Sequence, residues 1–253
     1  MRTMVPVGAD ALCAEDSEGD GPPLVLLHPG IGDLRVWDPV WAGLTETFRV
    51  IRYDFRGYGE SPPPSEPYSW LDDLLAVLAH FGLESAHLVG NSNGGATALA
   101  AAVEHPQAVR SLVLLAPGVS GYAWPDEPEL EARWEAVAAE GDPERVIDLY
   151  LDIWAAAGHE PFVRDLARSG LAAEPGEAQF LRELPAVFDR LGEITAPSVL
   201  LVGDLDKPEL VEADKQIVTR IPGCRLVWLN GVDHLPSLRA PGLVVDAIRE
   251  LCT

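Results

Sequence analysis

Positive charge is scarce in this 253-residue sequence. Only two lysines occur, and the 18 Lys and Arg residues together face 40 Asp and Glu residues, which gives a formal net charge of −22. Nucleic acids and anionic lipid surfaces attract proteins through clustered cations, and a chain with this balance repels both. The composition therefore argues against nucleic acid and membranes as partners and favours a small molecule.

Cysteine is also scarce, and long apolar runs are missing. The three cysteines are Cys13, Cys224 and Cys252, an odd number at wide spacing that fits neither a disulfide framework nor a paired-cysteine metal site. The longest apolar stretches have the length of a strand and cannot cross a bilayer. The first residues lack the apolar segment of a secretory signal, so we expect a cytoplasmic protein with reduced thiols.

Short β-rich apolar runs do recur, and segments with helical spacing separate most of them. Residues 69–81 carry leucines at helical spacing, with Asp72 and Asp73 near the start, where the helix dipole favours acidic side chains. The alternation predicts an α/β fold with a mostly parallel sheet and helices on both faces. The predicted strands are 24–28, 49–53, 86–90, 112–116, 199–203 and 226–229.

One interval breaks this alternation. From about residue 120 to 185 no strand is expected, and helices are predicted at 129–140, 143–157 and 161–168, separated by glycine and proline. We therefore predict a core of residues 1–119 and 186–253, with residues 120–185 inserted as a helical cap. Trp124 and Trp154 of this insertion are candidates for the substrate pocket, although packing alone could explain each of them.

The strongest motif surrounds Ser92, where the apolar segment 86–90 runs into Gly90-Asn91-Ser92-Asn93-Gly94 and then into a predicted helix. In a G-x-S-x-G turn between a strand and a helix, a strained serine exposes its hydroxyl, and flanking glycines avoid collisions. The alternative is a serine in an ordinary glycine-rich turn. The placement predicts that Ser92 is a nucleophile.

A second loop, following strand 24–28, predicts an oxyanion hole. Acyl transfer needs backbone N–H groups aimed at the developing oxyanion, and proline has none, so Gly30 is the expected donor here. Asn93, directly after the nucleophile, is the expected second donor. His28 is interpreted as a brace for the loop, and with Ile31 as a candidate pocket residue.

A late histidine and an aspartate complete the predicted site. His234 follows the predicted strand 226–229, and a general base must come from the same sheet edge as the nucleophile. Asp206 and Asp204 both follow the preceding strand. Asp206 is favoured to orient the histidine, because Asp204 lies close to the strand and suits the loop backbone. Leu235 is a further candidate pocket residue.

The order Ser92, Asp206, His234 with a helical insertion resembles the α/β-hydrolase superfamily over essentially the whole chain. Residues 53–61 also resemble the D-x-R-G-x-G-x-S turn of that superfamily. Within it the chain is similar to small capped serine hydrolases such as 3-oxoadipate enol-lactonases, carboxylesterases and perhydrolases. The resemblance implies an α/β-hydrolase fold, hydrolysis of an ester, lactone or thioester through an acyl-enzyme, and no metal or organic cofactor.

Two positions depart from the family pattern. Asn93 replaces the methionine or leucine usual after the nucleophile, and Asp233 replaces the glycine usual before the histidine. The charge of Asp233 is expected to raise the basicity of His234, with screening by solvent if the site is exposed. Leu235 stands where C–C bond hydrolases commonly have tryptophan, so that chemistry ranks below ester cleavage.

Other functions remain compatible with the same residues. They are a C–C bond hydrolase, a perhydrolase, a lyase or cyclase on the same scaffold, and a small-molecule sensor that keeps the triad. A monomer and a homodimer are equally compatible with the composition.

Overall fold

The structure, a computed structural model, describes all residues from Met1 to Thr253. Its eight strands are β1 Arg2–Val7, β2 Asp10–Asp16, β3 Pro23–Leu27, β4 Arg49–Tyr53, β5 Ala86–Asn91, β6 Val109–Leu115, β7 Ser198–Gly203 and β8 Arg225–Leu229. They form one sheet in the order β1-β2-β4-β3-β5-β6-β7-β8. Strands β3 to β8 pair in parallel, while β1 and β2 form an antiparallel hairpin on the edge of β4. The mostly parallel α/β sheet is thus confirmed.

The helices are α1 Asp38–Thr45, α2 Trp70–His80, α3 Asn93–Glu104, α4 Pro128–Glu140, α5 Pro143–Trp154, α6 Pro161–Phe180, α7 Pro208–Arg220, α8 Pro236–Arg239 and α9 Pro241–Cys252. Helices α2, α3 and α7 cover one face of the sheet, and α1 and α9 cover the other. Strand β3 shows why both faces are apolar, because Val25 and Leu27 enter the first core and Leu24 and Leu26 the second.

Helix α2 follows the sequence prediction closely. Its N-cap is Ser69, whose hydroxyl accepts a hydrogen bond from the Leu71 N–H at 3.2 Å, and Asp72 and Asp73 lie in the first turn.

No helix of the structure is at once long enough and apolar enough to span a membrane.

The insertion lies between β6 and β7 and contains α4, α5 and α6, which form a helical cap. Helix α6 is longer than predicted, continuing through Gly170 and Pro175 to Phe180. Tertiary packing explains this, because a Cβ on Gly170 would lie 2.3 Å from the Gly30 carbonyl oxygen. Glycine at this position lets the helix backbone lie directly on the loop after β3. Helix α4, by contrast, has no buried residue.

Candidate active site

The turn between β5 and α3 holds Ser92 in a strained conformation. Its backbone angles are φ 52° and ψ −114°, a region that residues with a side chain rarely adopt. A Cβ on Gly94 would lie 2.1 Å from the Leu27 carbonyl oxygen, and one on Gly90 would lie 2.3 Å from that of Gly94. The turn therefore requires its glycines, and it presents the half-buried Ser92 at the carboxyl end of β5.

Asp206 and His234 meet at the same edge of the sheet. Asp206 follows β7 and His234 follows β8, and Asp206 Oδ2 lies 2.8 Å from His234 Nδ1. Both side chains are almost wholly buried, with 0% and 2% of their surfaces exposed. Because a carboxylate only accepts hydrogen bonds, the Nδ1 must carry the proton, which leaves Nε2 as a free acceptor.

Asn91 ties the histidine loop to the nucleophile turn. Its Nδ2 donates to the carbonyl oxygens of Leu115 at 2.8 Å and His234 at 3.2 Å. Since Asn91 directly precedes Ser92, these bonds bring the loop of His234 to the end of β5. Sequence reasoning missed this contact, because nothing local in the sequence marks Asn91 as the donor.

Asp204 has a different role from Asp206. Its Oδ1 accepts a hydrogen bond from the Gly231 N–H at 2.6 Å, which braces the turn after β8. Of the two candidate carboxylates, only Asp206 contacts His234.

The expected oxyanion donors are adjacent. A Cβ on Gly30 would lie 2.8 Å from Asn93 Nδ2. The backbone N–H groups of Gly30 and Asn93 donate to no acceptor within the protein. Asn93 is the first residue of α3, where helix amides have no intrahelical partner and the dipole favours negative charge. Both amides are thus available to an anionic oxygen.

His28 braces the loop that carries Gly30. Its Nε2 accepts a hydrogen bond from the Phe55 N–H at 2.9 Å, so the proton lies on Nδ1, which donates to the Pro29 carbonyl oxygen at 2.8 Å. Complete burial lowers the pKa of His28 to about 4. The ring is therefore neutral at physiological pH, with both nitrogens occupied.

Asp233 is buried, so solvent does not screen its charge in the way that an exposed position would allow. Only 1% of the residue is exposed, and its carboxylate pairs with Arg239 Nε at 3.0 Å. It also accepts from the N–H groups of Leu235 at 3.1 Å and of Ala157, in the cap, at 3.0 Å. Asp233 thus fastens the cap to the loop of His234.

A cleft of about 950 Å³ opens above Ser92, between the core and the cap. Ser92, Asn93, Trp124 and Trp154 line it. The ring of Trp154 also packs against that of His234, with centres 4.7 Å apart. The other three candidate pocket residues, His28, Ile31 and Leu235, lie outside this lining, because the loops after β3 and β8 bury them at 0 to 2% exposure.

Asp214, on α7, is a second buried carboxyl near Asp206 that the sequence did not reveal. Neither of its oxygens has a hydrogen-bond partner. Burial, and secondarily the charge of Asp206, raises the pKa of Asp214 well above its ordinary value. It stands four residues after Leu210 and three before Ile217, so its spacing alone places it on the buried apolar face of α7.

Comparisons with known proteins agree with this fold. Residues 22–152 match the family model described as the alpha/beta hydrolase fold. Over 139 residues the chain is 37% identical to 2-hydroxymuconate semialdehyde hydrolase from Pseudomonas sp., a match that covers 52% of this chain and 48% of that protein. The chain thus spans about half the length of that curated relative.

Two further proteins match over nearly their whole length. The chain is 31% identical to the pimeloyl-[acyl-carrier protein] methyl ester esterase of Aeromonas hydrophila, covering 91% of this chain and 95% of the esterase. It also superposes on a thermophilic esterase from Thermogutta terrifontis with a TM-score of 0.78 and 28% identity, covering 99% and 97% of the two chains.

Proposed function

The chain belongs to the α/β-hydrolase fold family, and from this premise we propose that it is a serine hydrolase that cleaves a small-molecule ester, lactone or thioester. Ser92 Oγ attacks the carbonyl carbon while His234 takes the hydroxyl proton and then gives it to the leaving group. Asp206 orients the imidazole and stabilises its positive charge. Water, activated by the same base, then releases the acyl group and restores Ser92.

The observation that carries this proposal is that a strained serine and a buried histidine–aspartate pair follow strands at the same edge of the sheet. Ser92 adopts φ 52°, and His234 Nδ1 lies 2.8 Å from Asp206 Oδ2. An imidazole held in this tautomer can accept a proton only at Nε2, which is what a serine nucleophile requires.

The backbone amides of Gly30 and Asn93 have the complementary role. In the tetrahedral intermediate the carbonyl oxygen becomes negatively charged, and preorganised N–H donors stabilise that charge without reorganising. Both amides lack protein acceptors. We propose them as the oxyanion hole. The proposed reaction needs no metal or organic cofactor. The cytoplasmic location stays a prediction, and both a monomer and a homodimer stay compatible with the sequence.

The experiment that tests the proposal is covalent labelling with a fluorophosphonate probe, read out by intact mass and peptide mapping. Labelling should occur at Ser92 and should be lost in Ser92→Ala and His234→Ala. His159→Ala, a substitution of a partly exposed cap histidine, is the matched control and should label normally. An unlabelled native chain would refute the assignment.

A second candidate is hydrolysis of a C–C bond in a ring-cleavage product. It is supported by the 37% identity to 2-hydroxymuconate semialdehyde hydrolase. Leu235, in place of the tryptophan common in such enzymes, instead favours the cleavage of an ester. Loss of the visible absorbance of 2-hydroxymuconate semialdehyde, followed by product identification, discriminates the two.

Labelling of Ser92 without repeated turnover of any substrate would favour the sensor function.

A further inference from the structure

The charged residues that line the cleft are unequal in sign. Of its 25 lining residues, five are Asp or Glu, whereas only Arg182 and Lys207 are cationic. Arg182 is exposed and donates to the Pro67 carbonyl oxygen at 3.1 Å. Lys207 is therefore the one cation placed beside the proposed catalytic residues, and its backbone N–H donates to Asp206 Oδ1 at 2.8 Å.

The ammonium group of Lys207 is already neutralised by the protein. Its Nζ lies 2.7 Å from Oε2 of Glu127, the residue that precedes α4, and the two side chains are 19% and 26% exposed. A substrate carboxylate at this position would have to displace a carboxylate tethered to the same chain. A tethered group has a high effective concentration, so it competes strongly with a free one.

Five aromatic side chains make up much of the remaining lining. Trp70, Tyr122, Trp124, Trp134 and Trp154 all contribute to it. The negative faces of aromatic rings attract cations and stack on uncharged groups, and they offer nothing to a carboxylate. The molecule itself illustrates this preference, because Lys207 Nζ lies 5.2 Å from the centre of the Trp154 ring.

We propose that the cleft selects substrates whose non-reacting part is neutral or cationic, and that the Lys207–Glu127 pair rejects substrates that carry a carboxylate. The inference rests on the proposed function and narrows its substrate class. Glu127 masks the ammonium that could otherwise bind an anion, and the remaining acidic residues of the cleft repel one.

Three phenylboronic acids with 3-tert-butyl, 3-trimethylammonio and 3-carboxylate substituents test this selection. The serine oxygen forms a reversible bond to boron while its proton passes to His234, so binding requires no turnover. The tryptophans of the cleft report dissociation constants by fluorescence. In the wild-type chain we expect the carboxylate compound to bind at least tenfold more weakly than the tert-butyl compound.

Three variants distinguish the effect of the Lys207–Glu127 pair from the effect of net charge. Glu127→Gln should raise the affinity ratio of carboxylate to tert-butyl compound at least tenfold. Glu129→Gln removes the same charge two residues away, in the first turn of α4 and outside the cleft lining, and should leave the ratio at its wild-type value. The two probes differ in intrinsic acidity, but this difference is the same for every form of the protein. It therefore cancels when the affinity ratio of a variant is compared with that of the wild-type chain. Lys207→Met, which leaves Glu127 unpaired, should instead favour the trimethylammonio compound.

The possible failures are distinguishable. If the fluorophosphonate labels Ser92 and the wild-type chain binds the carboxylate compound as tightly as the tert-butyl compound, the inference is overturned while the proposed function stands. An unchanged ratio in Glu127→Gln would overturn the role of the pair. If no probe reacts with Ser92, the proposed function fails and this inference fails with it.

Discussion

Replacing Asp233 with asparagine tests how strongly the cap is fastened to the loop of His234. The carboxylate receives hydrogen bonds from Leu235, from Ala157 of the cap and from Arg239. Asparagine keeps the shape but offers only one accepting oxygen, so at least one of these buried donors would face an amide NH₂ group.

The size of the effect follows from burial. Asp233 is 1% exposed and the Arg239 side chain 12%, so the pair is shielded from solvent screening. Removing one partner of a buried pair costs roughly 3–5 kcal/mol. Arg239 keeps a second carboxylate, because its Nη1 also lies 2.8 Å from Oε2 of the exposed Glu160. We therefore expect the lower end, about 3 kcal/mol of unfolding free energy.

Urea unfolding followed by tryptophan fluorescence measures this loss. The matched control is Glu250→Gln, which breaks the exposed pair with Arg225, whose side chains are 49% and 65% exposed. Exposed pairs contribute at most about 1 kcal/mol, so the control should unfold almost like the wild-type chain. If Asp233→Asn destabilises no more than Glu250→Gln, the structural role given to Asp233 is refuted.

Three shorter predictions concern the site and its surroundings. Asp206→Asn should slow fluorophosphonate labelling by a factor on the order of 10⁴, because asparagine allows the wrong imidazole tautomer; unchanged labelling would assign the carboxylate elsewhere. Ser92→Gly should be inactive but more stable than Ser92→Ala by about 1 kcal/mol or more, because glycine adopts φ 52° without strain; equal denaturation midpoints would contradict the strain. Asp214→Asn should raise the melting temperature at pH 8 and change it little near pH 3, because the raised pKa of Asp214 penalises the folded state only once the unfolded carboxyl has ionised; an equal rise at both values would exclude ionisation as the cause.

The order and type of most core elements could be predicted from the sequence, because each depends on local patterns. The predicted strands all form within three residues of their expected bounds. The hairpin of β1 and β2 was missed because its strands mix polar and apolar residues at the sheet edge, where only Val5, Val7, Leu12 and Ala14 enter this core. Their burial depends on α2, some 60 residues later, which no local pattern encodes.

In the candidate site, too, the features that depend on local sequence patterns could be predicted, and those that depend on distant residues could not. The sequence predicts Ser92 and His234 because each follows a strand in a short recognisable motif, and the ends of parallel strands meet at one sheet edge. The burial of Asp233 could not be predicted from the sequence because its partners, Arg239 and Ala157, come from α8 and from the cap loop. The neutralisation of Lys207 depends likewise on Glu127, 80 residues earlier.

The contacts of the cap indicate which part of it can separate from the core at least cost. Helix α6 lies on the Gly30 loop through Gly170, and the loop after α5 is fastened through the buried Asp233. Helix α4 has no buried residue, and its start is held to the core by the partly exposed pair of Glu127 and Lys207. Local opening is cheapest where few apolar contacts are lost. Movement of α4 would therefore widen the cleft and break the pair that masks Lys207, so substrate entry and charge selection would depend on the same contact.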